Sequence, residues 1–143
     1  MCQVQVKPPS ASIAARAAAL WCLIMFVEML HGTLRTLFLA PRLGDFSARQ
    51  LSVFTASLIN FAIAYALTPW LAAPTRRARL AIGAAWLLLT IAFELSFGRF
   101  VFGASWNRLA EDFRIWDGGL LPIGLVLLAL TPLLAASLRA RRS

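Results

Sequence analysis

The chain has 143 residues, 60% of them hydrophobic, a mean hydropathy of +0.75 and a formal net charge of +8. Soluble domains are about 45–50% apolar; here the apolar residues gather in long runs separated by charges, which excludes an ordinary water-soluble globule and points to a lipid solvent. The cations, thirteen Arg and Lys7, lie mostly at the ends of those runs, where they orient spans and meet anionic lipid; no basic domain interleaved with aromatics argues for nucleic acid.

Residues 1–10 read as a short cytoplasmic tail with Lys7 and a Pro8-Pro9 break. No signal-type apolar run precedes Cys2, so lipoprotein attachment is not expected, and the run from Ala11 continues too far for a cleavable signal. Cys2 and Cys22 form no CxxC pair and imply no disulfide framework. The preference for Arg over Lys suits a GC-rich bacterial genome.

A first span is expected over residues 11–39, ended by Pro41. Its length, roughly 42 Å, exceeds a hydrocarbon core of about 30 Å, so it should tilt, kink near Gly32 or emerge into the headgroups. Residues 41–45 read as a turn, and Ser47 with Gln50 fits a capping box opening a second span over residues 48–72. A basic connection with Arg76, Arg77 and Arg79 leads to a third span over residues 80–102. Residues 105–116 are too polar to span. Trp106, Leu109, Phe113 and Trp116 fall on one helical face there, which predicts an amphipathic helix anchored at the membrane interface. Asp117-Gly118-Gly119 opens the fourth span, residues 119–138, with Pro122 in its first turn and Thr131-Pro132 as a kink site. Residues 139–143 form a basic cytoplasmic tail. The expectation is an all-α, four-transmembrane-helix bundle built from two tandem helical hairpins, with the interfacial helix before helix four.

Cations number eight on the side of the termini and six on the other. Density beside the spans and the terminal clusters favour both ends in the cytoplasm of a bacterial inner membrane.

The two halves look alike. Glu28-x-x-x-Gly32 matches Glu94-x-x-x-Gly98, and Thr68-Pro69-x-Leu71-Ala72 matches Thr131-Pro132-x-Leu134-Ala135, at offsets of 66 and 63 residues. Each half holds two spans, so duplication predicts a pseudo-two-fold axis along the membrane normal.

Ionisable residues at membrane depth are the candidates for function. Glu28, His31 and Arg35 share a stripe at spacings of 3 and 4. Measured from the inner flank, Glu28 lies roughly 18 Å in, His31 and Glu94 roughly 22 Å. Ser57 and Asn60 reach the same layer from the second span, and Arg35 and Arg99 sit above it. Charge pairing is the expected compensation: Glu28 with His31 or Arg99, and Glu94 with Arg35.

Such pairs account for helix association alone, in a non-enzymatic accessory or assembly component. A proton- or ion-coupled transporter or channel subunit using Glu28 and Glu94 is the alternative. Small multidrug transporters share four helices and a membrane carboxylate, but no stretch here matches their motifs. Glu28-x-x-His31 is one element of a carboxylate di-metal bundle; the equivalent of His31 in the second half is Phe97, and no second histidine exists, so no metal or other cofactor is expected. A lipid-headgroup enzyme with His31 as base lacks any nucleophile motif. The expected partners are the bilayer, a membrane-protein partner or a second copy, and no nucleic acid. Two stretches, residues 28–35 with Pro41 and residues 48–50, and Phe93-Glu94 with Gly98, Ser105-Trp106, Arg108-Leu109, Asp112 and Gly118, together resemble a family of small uncharacterised bacterial four-span membrane proteins. That resemblance covers most of the chain and implies no activity.

Overall fold

The computed structural model describes residues 10–142, with side chains from Ile13 onward; the expected tail with Cys2 and Lys7 lies outside the described residues. The described chain is helical, without strands: α1 (Ser10–Leu34), a π-helical turn (Arg35–Leu39), α2 (Ala40–Leu43), α3 (Asp45–Leu71), α4 (Arg76–Phe100), α5 (Trp106–Phe113), a 3-10 turn (Ile115–Asp117) and α6 (Leu121–Arg142). Four stretches are long and apolar enough to cross a bilayer: Ile13–Leu43, Asp45–Leu71, Arg76–Phe100 and Leu121–Arg142. Leu58 is 71% exposed and Leu88 66% exposed, a surface that lipid stabilises and water would not.

Several boundaries differ from the sequence reading, each for a physical reason. Pro41 does not end the first span, which continues to Leu43. The Pro41 ring would clash with the carbonyl four residues back; instead the preceding turn widens, with the Ala40 N–H bonding Arg35 O, and the proline sits in the first turn of α2. The helical hydrogen-bond pattern therefore changes at residues 35–39, while α1 runs through Gly32 without a break. Gly44, with φ +83°, reverses the chain before α3, a conformation that favours glycine. The Ser47–Gln50 capping box does not form: α3 starts earlier, at Asp45, and Gln50 Nε2 donates to Gly118 O at 2.8 Å. Thr75 caps α4 by accepting the Ala78 N–H at 3.1 Å. Arg76, Arg77 and Arg79 thus belong to its first turn, not to a loop. The amphipathic helix is shorter than expected: Ser105 caps it, and Trp116 lies in the following 3-10 turn.

The packing is uneven along the bundle. α1 packs on α3, α4 on α6, and α6 also on α3. At the end carrying both described termini, Leu20, Ile24 and Trp86 are almost fully buried in a cluster with Ala17, Met25, Leu71, Ile82 and Leu128. Two indoles cross the α1–α4 seam there: Trp86 Nε1 donates to Ala17 O and Trp21 Nε1 to Thr90 Oγ1, both at 3.0 Å.

The same end closes on the carbonyl terminus of α3. Pro69 supplies no N–H to Tyr65 O, and Arg139 Nη1 donates to that carbonyl at 2.8 Å with its guanidinium 5.0 Å from the Tyr65 ring. Arg16 Nη1 reaches Trp70 O at 3.3 Å and Arg79 Nε reaches Ala73 O at 3.1 Å. Arginines from three other helices meet the negative end of the α3 dipole. The matched Thr68 and Thr131 behave alike, bonding Ala64 O at 2.7 Å and Leu127 O at 2.6 Å.

Candidate functional site: a polar chamber at membrane depth

Towards the opposite end the bundle is hollow. A cavity of about 440 Å³ lies between α1, α3, α4 and α6, capped by α5, a size typical of small-ligand pockets. Glu28 and His31 reach it from α1, Ser57 and Asn60 from α3, Glu94 from α4, and Arg35 from the π-helical turn. The helical stripe inferred from spacings of 3 and 4 thus faces the interior.

Arg99 is the exception. It does not line the chamber; Arg99 Nη1 donates to Ala104 O at 3.1 Å and its guanidinium stacks over Trp106 at 5.4 Å. The expected charge pairs also do not form: among the described residues neither Glu28 nor Glu94 makes a salt bridge. His31 Nε2 instead lies 2.8 Å from Thr55 Oγ1, and Asn60 is the hydrogen-bonding neighbour of Glu28.

Two polar atoms on the α3 wall have no partner. Asn60, 8% exposed, leaves Oδ1 unbonded, and Ser52, 4% exposed, leaves Oγ unbonded. A buried polar atom left this way costs about 1–3 kcal/mol. Both residues line the chamber, so a ligand or water inside it can meet them. Ser57 is different: its hydroxyl bonds Val53 O at 2.7 Å. Phe93 and Phe97, stacked with ring centres 5.1 Å apart, give the α4 wall an apolar face.

The rim is held by charge. The Arg49 side chain is 8% exposed; it pairs with Asp45 one turn away, with Asp112 (Nε to Oδ1 2.9 Å) and with Glu111 at 3.4 Å. Arg108 joins Asp112 at 3.0 Å and Asp45 at 3.4 Å. This network ties α5 across the start of α3. Leu109 lies against Gly98 of α4, while Trp106 and Trp116 are 57% and 82% exposed. The anchor face therefore divides: Leu109 and half-buried Phe113 turn to protein, and the two tryptophans turn outward.

Sequence reasoning missed Ser52, Phe93 and the Arg49–Asp112 linkage. Ser52 was within reach of a pattern argument, since Arg49, Ser52, Ala56 and Asn60 recur at spacings of 3, 4 and 4 along α3. Nothing local signals that Asp112 meets a side chain 63 positions earlier. Among the described residues no cluster of three or more His, Cys, Asp or Glu side chains could hold a metal ion. No family model, curated protein or solved structure matches the chain.

Proposed function

We propose that this chain is a small polytopic protein of a bacterial inner membrane, with both termini cytoplasmic, that admits a small polar ligand from the outer side into the chamber floored by Glu28, Asn60 and Glu94. It serves as the binding unit of a small proton- or ion-coupled transporter. The observation that carries this reading is the polar chamber with its orphaned Asn60 Oδ1 and Ser52 Oγ. An accessory protein that used these residues only to hold helices together would pair them with one another. Here neither carboxylate makes a salt bridge among the described residues, and Glu28 meets the Asn60 amide beside a volume that a ligand can occupy. The packed core at the Trp86 end closes that side of the chamber, which supports access from the opposite side, past α5.

The topology has its own support. Arg16, Arg79 and Arg139 converge at the terminal end, with Arg76, Arg77, Arg141 and Arg142 beside them, as the positive-inside rule expects of a cytoplasmic face. The paired behaviour of Thr68 and Thr131, and the meeting of Glu28 with Glu94 in one chamber, favour an internal duplication.

Single-cysteine labelling tests the proposal. In a chain lacking Cys2 and Cys22, Ser57→Cys should react with a charged, membrane-impermeant thiol reagent added from the periplasmic side. Lipid-facing Leu58→Cys should not. In proteoliposomes, Glu28→Gln with Glu94→Gln should abolish pH-gradient-driven flux. A silent Ser57→Cys, together with assembly defects in the Gln variants, returns the chain to the accessory reading.

A further inference from the structure

The chamber sorts charge by depth. Its floor presents the Glu28 and Glu94 carboxyls with the Asn60 amide oxygen left without a partner; the equally orphaned Ser52 hydroxyl lies eight residues nearer the rim, roughly 12 Å along α3. These groups call for hydrogen-bond donors, preferably on a cation. Above them, Arg35 lies seven residues beyond Glu28, roughly 10 Å along the helix. The Arg35 side chain lines the chamber and makes no hydrogen bond or salt bridge among the described residues. The neighbouring rim cations, Arg49 and Arg108, are already matched to Asp45, Glu111 and Asp112. One uncommitted cation therefore stands over an acceptor-rich floor. A simple anion is repelled by the floor, and a simple cation leaves Arg35 unmatched. A zwitterion with its ammonium inward and its acidic group outward satisfies both. Arg35, Glu28 and Glu94 line one cavity of about 440 Å³, so the link between the ligand's two charges must be short.

The chamber also opens sideways. Ala17 and Trp21 of α1 meet Trp86, Thr90 and Phe93 of α4 towards the terminal end. Further along, the chamber walls include Met29 and Thr33 of α1 and Thr36 of the π-helical turn, and Phe97 of α4 with Phe102 just beyond its end. Met29 is 41% exposed and Phe102, just past the end of α4, is 74% exposed, so this side of the chamber reaches the bundle surface near the outer end of the spans. It is an apolar slot. The Thr33 and Thr36 hydroxyls are spent on Met29 O at 2.8 Å and Gly32 O at 3.0 Å. A side-chain carbon on Gly32 would meet nothing within 4 Å. An apolar arm can remain in this slot while the head occupies the chamber.

We propose that the chamber binds an aminoalkyl phosphate head, a primary ammonium joined by a short link to a phosphate, with an apolar arm leaving through the α1–α4 seam; this ligand class rests on the chamber reading above. The ammonium donates to Glu28, Glu94 and Asn60 Oδ1, and the phosphate faces Arg35. The head is available from two sources, an aminophospholipid of the bilayer or the free aminoalkyl phosphate.

The test uses the full chain in neutral detergent. Native mass spectrometry reads retention of phosphatidylethanolamine, its mono- and dimethyl derivatives, phosphatidylcholine and phosphatidylglycerol. Retention should fall stepwise with N-methylation, to about a tenth or less for phosphatidylcholine, because each methyl removes an N–H donor from a site built to accept one. Phosphatidylglycerol, with no cation, should bind no better. The methylation series needs no variant, so it stands even where Glu28→Gln or Glu94→Gln impairs folding; Arg35→Gln in a correctly assembled chain should lower retention as well. Displacement by millimolar phosphoethanolamine identifies the free head as sufficient; failure to displace identifies the lipid as the source. Equal retention of phosphatidylcholine and phosphatidylethanolamine overturns the proposal. If Ser57→Cys still labels from outside in that case, only the ligand class is lost. If Ser57→Cys is silent too, the chamber reading goes with it.

Discussion

Replacing Gly83 by alanine should drive α4 and α6 apart. A methyl carbon at position 83 would stand 1.8 Å from Ala129 O and 2.8 Å from the Ala129 carbonyl carbon. Ordinary carbon–oxygen contact needs roughly 3.4 Å, so the helices must separate by about 1.5 Å or shear past each other. The obstructing atoms are backbone and cannot rotate away. Overpacking of a well-packed site costs about 1–3 kcal/mol, and the upper end applies where backbone meets backbone. For a chain of this size each kcal/mol moves the midpoint by roughly 2–5 °C, so Gly83→Ala should lower thermal unfolding in detergent by about 5–15 °C. Gly32→Ala is the matched control, because its new methyl meets nothing within 4 Å. It should leave the midpoint unchanged or raise it slightly through better helix propensity. A Gly83→Ala protein that melts with the parent would refute the close α4–α6 crossing.

Arg49→Leu should unpin α5 from the start of α3. With its partners 25–62% exposed, the loss should be roughly 2 kcal/mol, below that of a fully enclosed pair, and faster proteolysis between α4 and α6 should report it. Arg49→Lys should recover little, since one ammonium cannot serve Asp45, Glu111 and Asp112 as a guanidinium does. Gln50→Ala removes the bond to Gly118 O and should cost about 1 kcal/mol in the same melts. Arg139→Ala should cost more with Pro69 present than in Pro69→Ala, where an N–H returns to Tyr65 O; a double-mutant cycle should show about 1 kcal/mol of coupling, and additive effects would count against the capping role.

The four spans were legible because long apolar runs have few solutions in lipid. Their ends were not, because each was decided by something outside the local pattern. Pro41 was read as a stop, yet a widened turn before it absorbs the ring and the helix runs on. Ser47 and Gln50 had the spacing of a capping box, but Gln50 is engaged 68 residues away at Gly118. Glu28, His31 and Arg35 announced a common face by helical spacing, and all three line the chamber. Their pairing was not legible, because it depends on how far apart α1 and α4 stand. Trp21 and Trp86 hold that seam at the terminal end, and no periodicity encodes the volume left beyond them. Arg99 shows the same limit, since its partner is set by the turn at Ala104.

The donor that reaches Tyr65 O comes from residue 139, among the last parts of the described chain to leave a ribosome. Until it arrives, the proline-broken stretch of α3 has a bare acceptor in a medium with no water to offer. A chain released before Arg139 would keep that defect after all four spans were inserted. Pro69 of α3 and Arg139 of α6 therefore share one backbone acceptor, so a change on either helix is felt on the other.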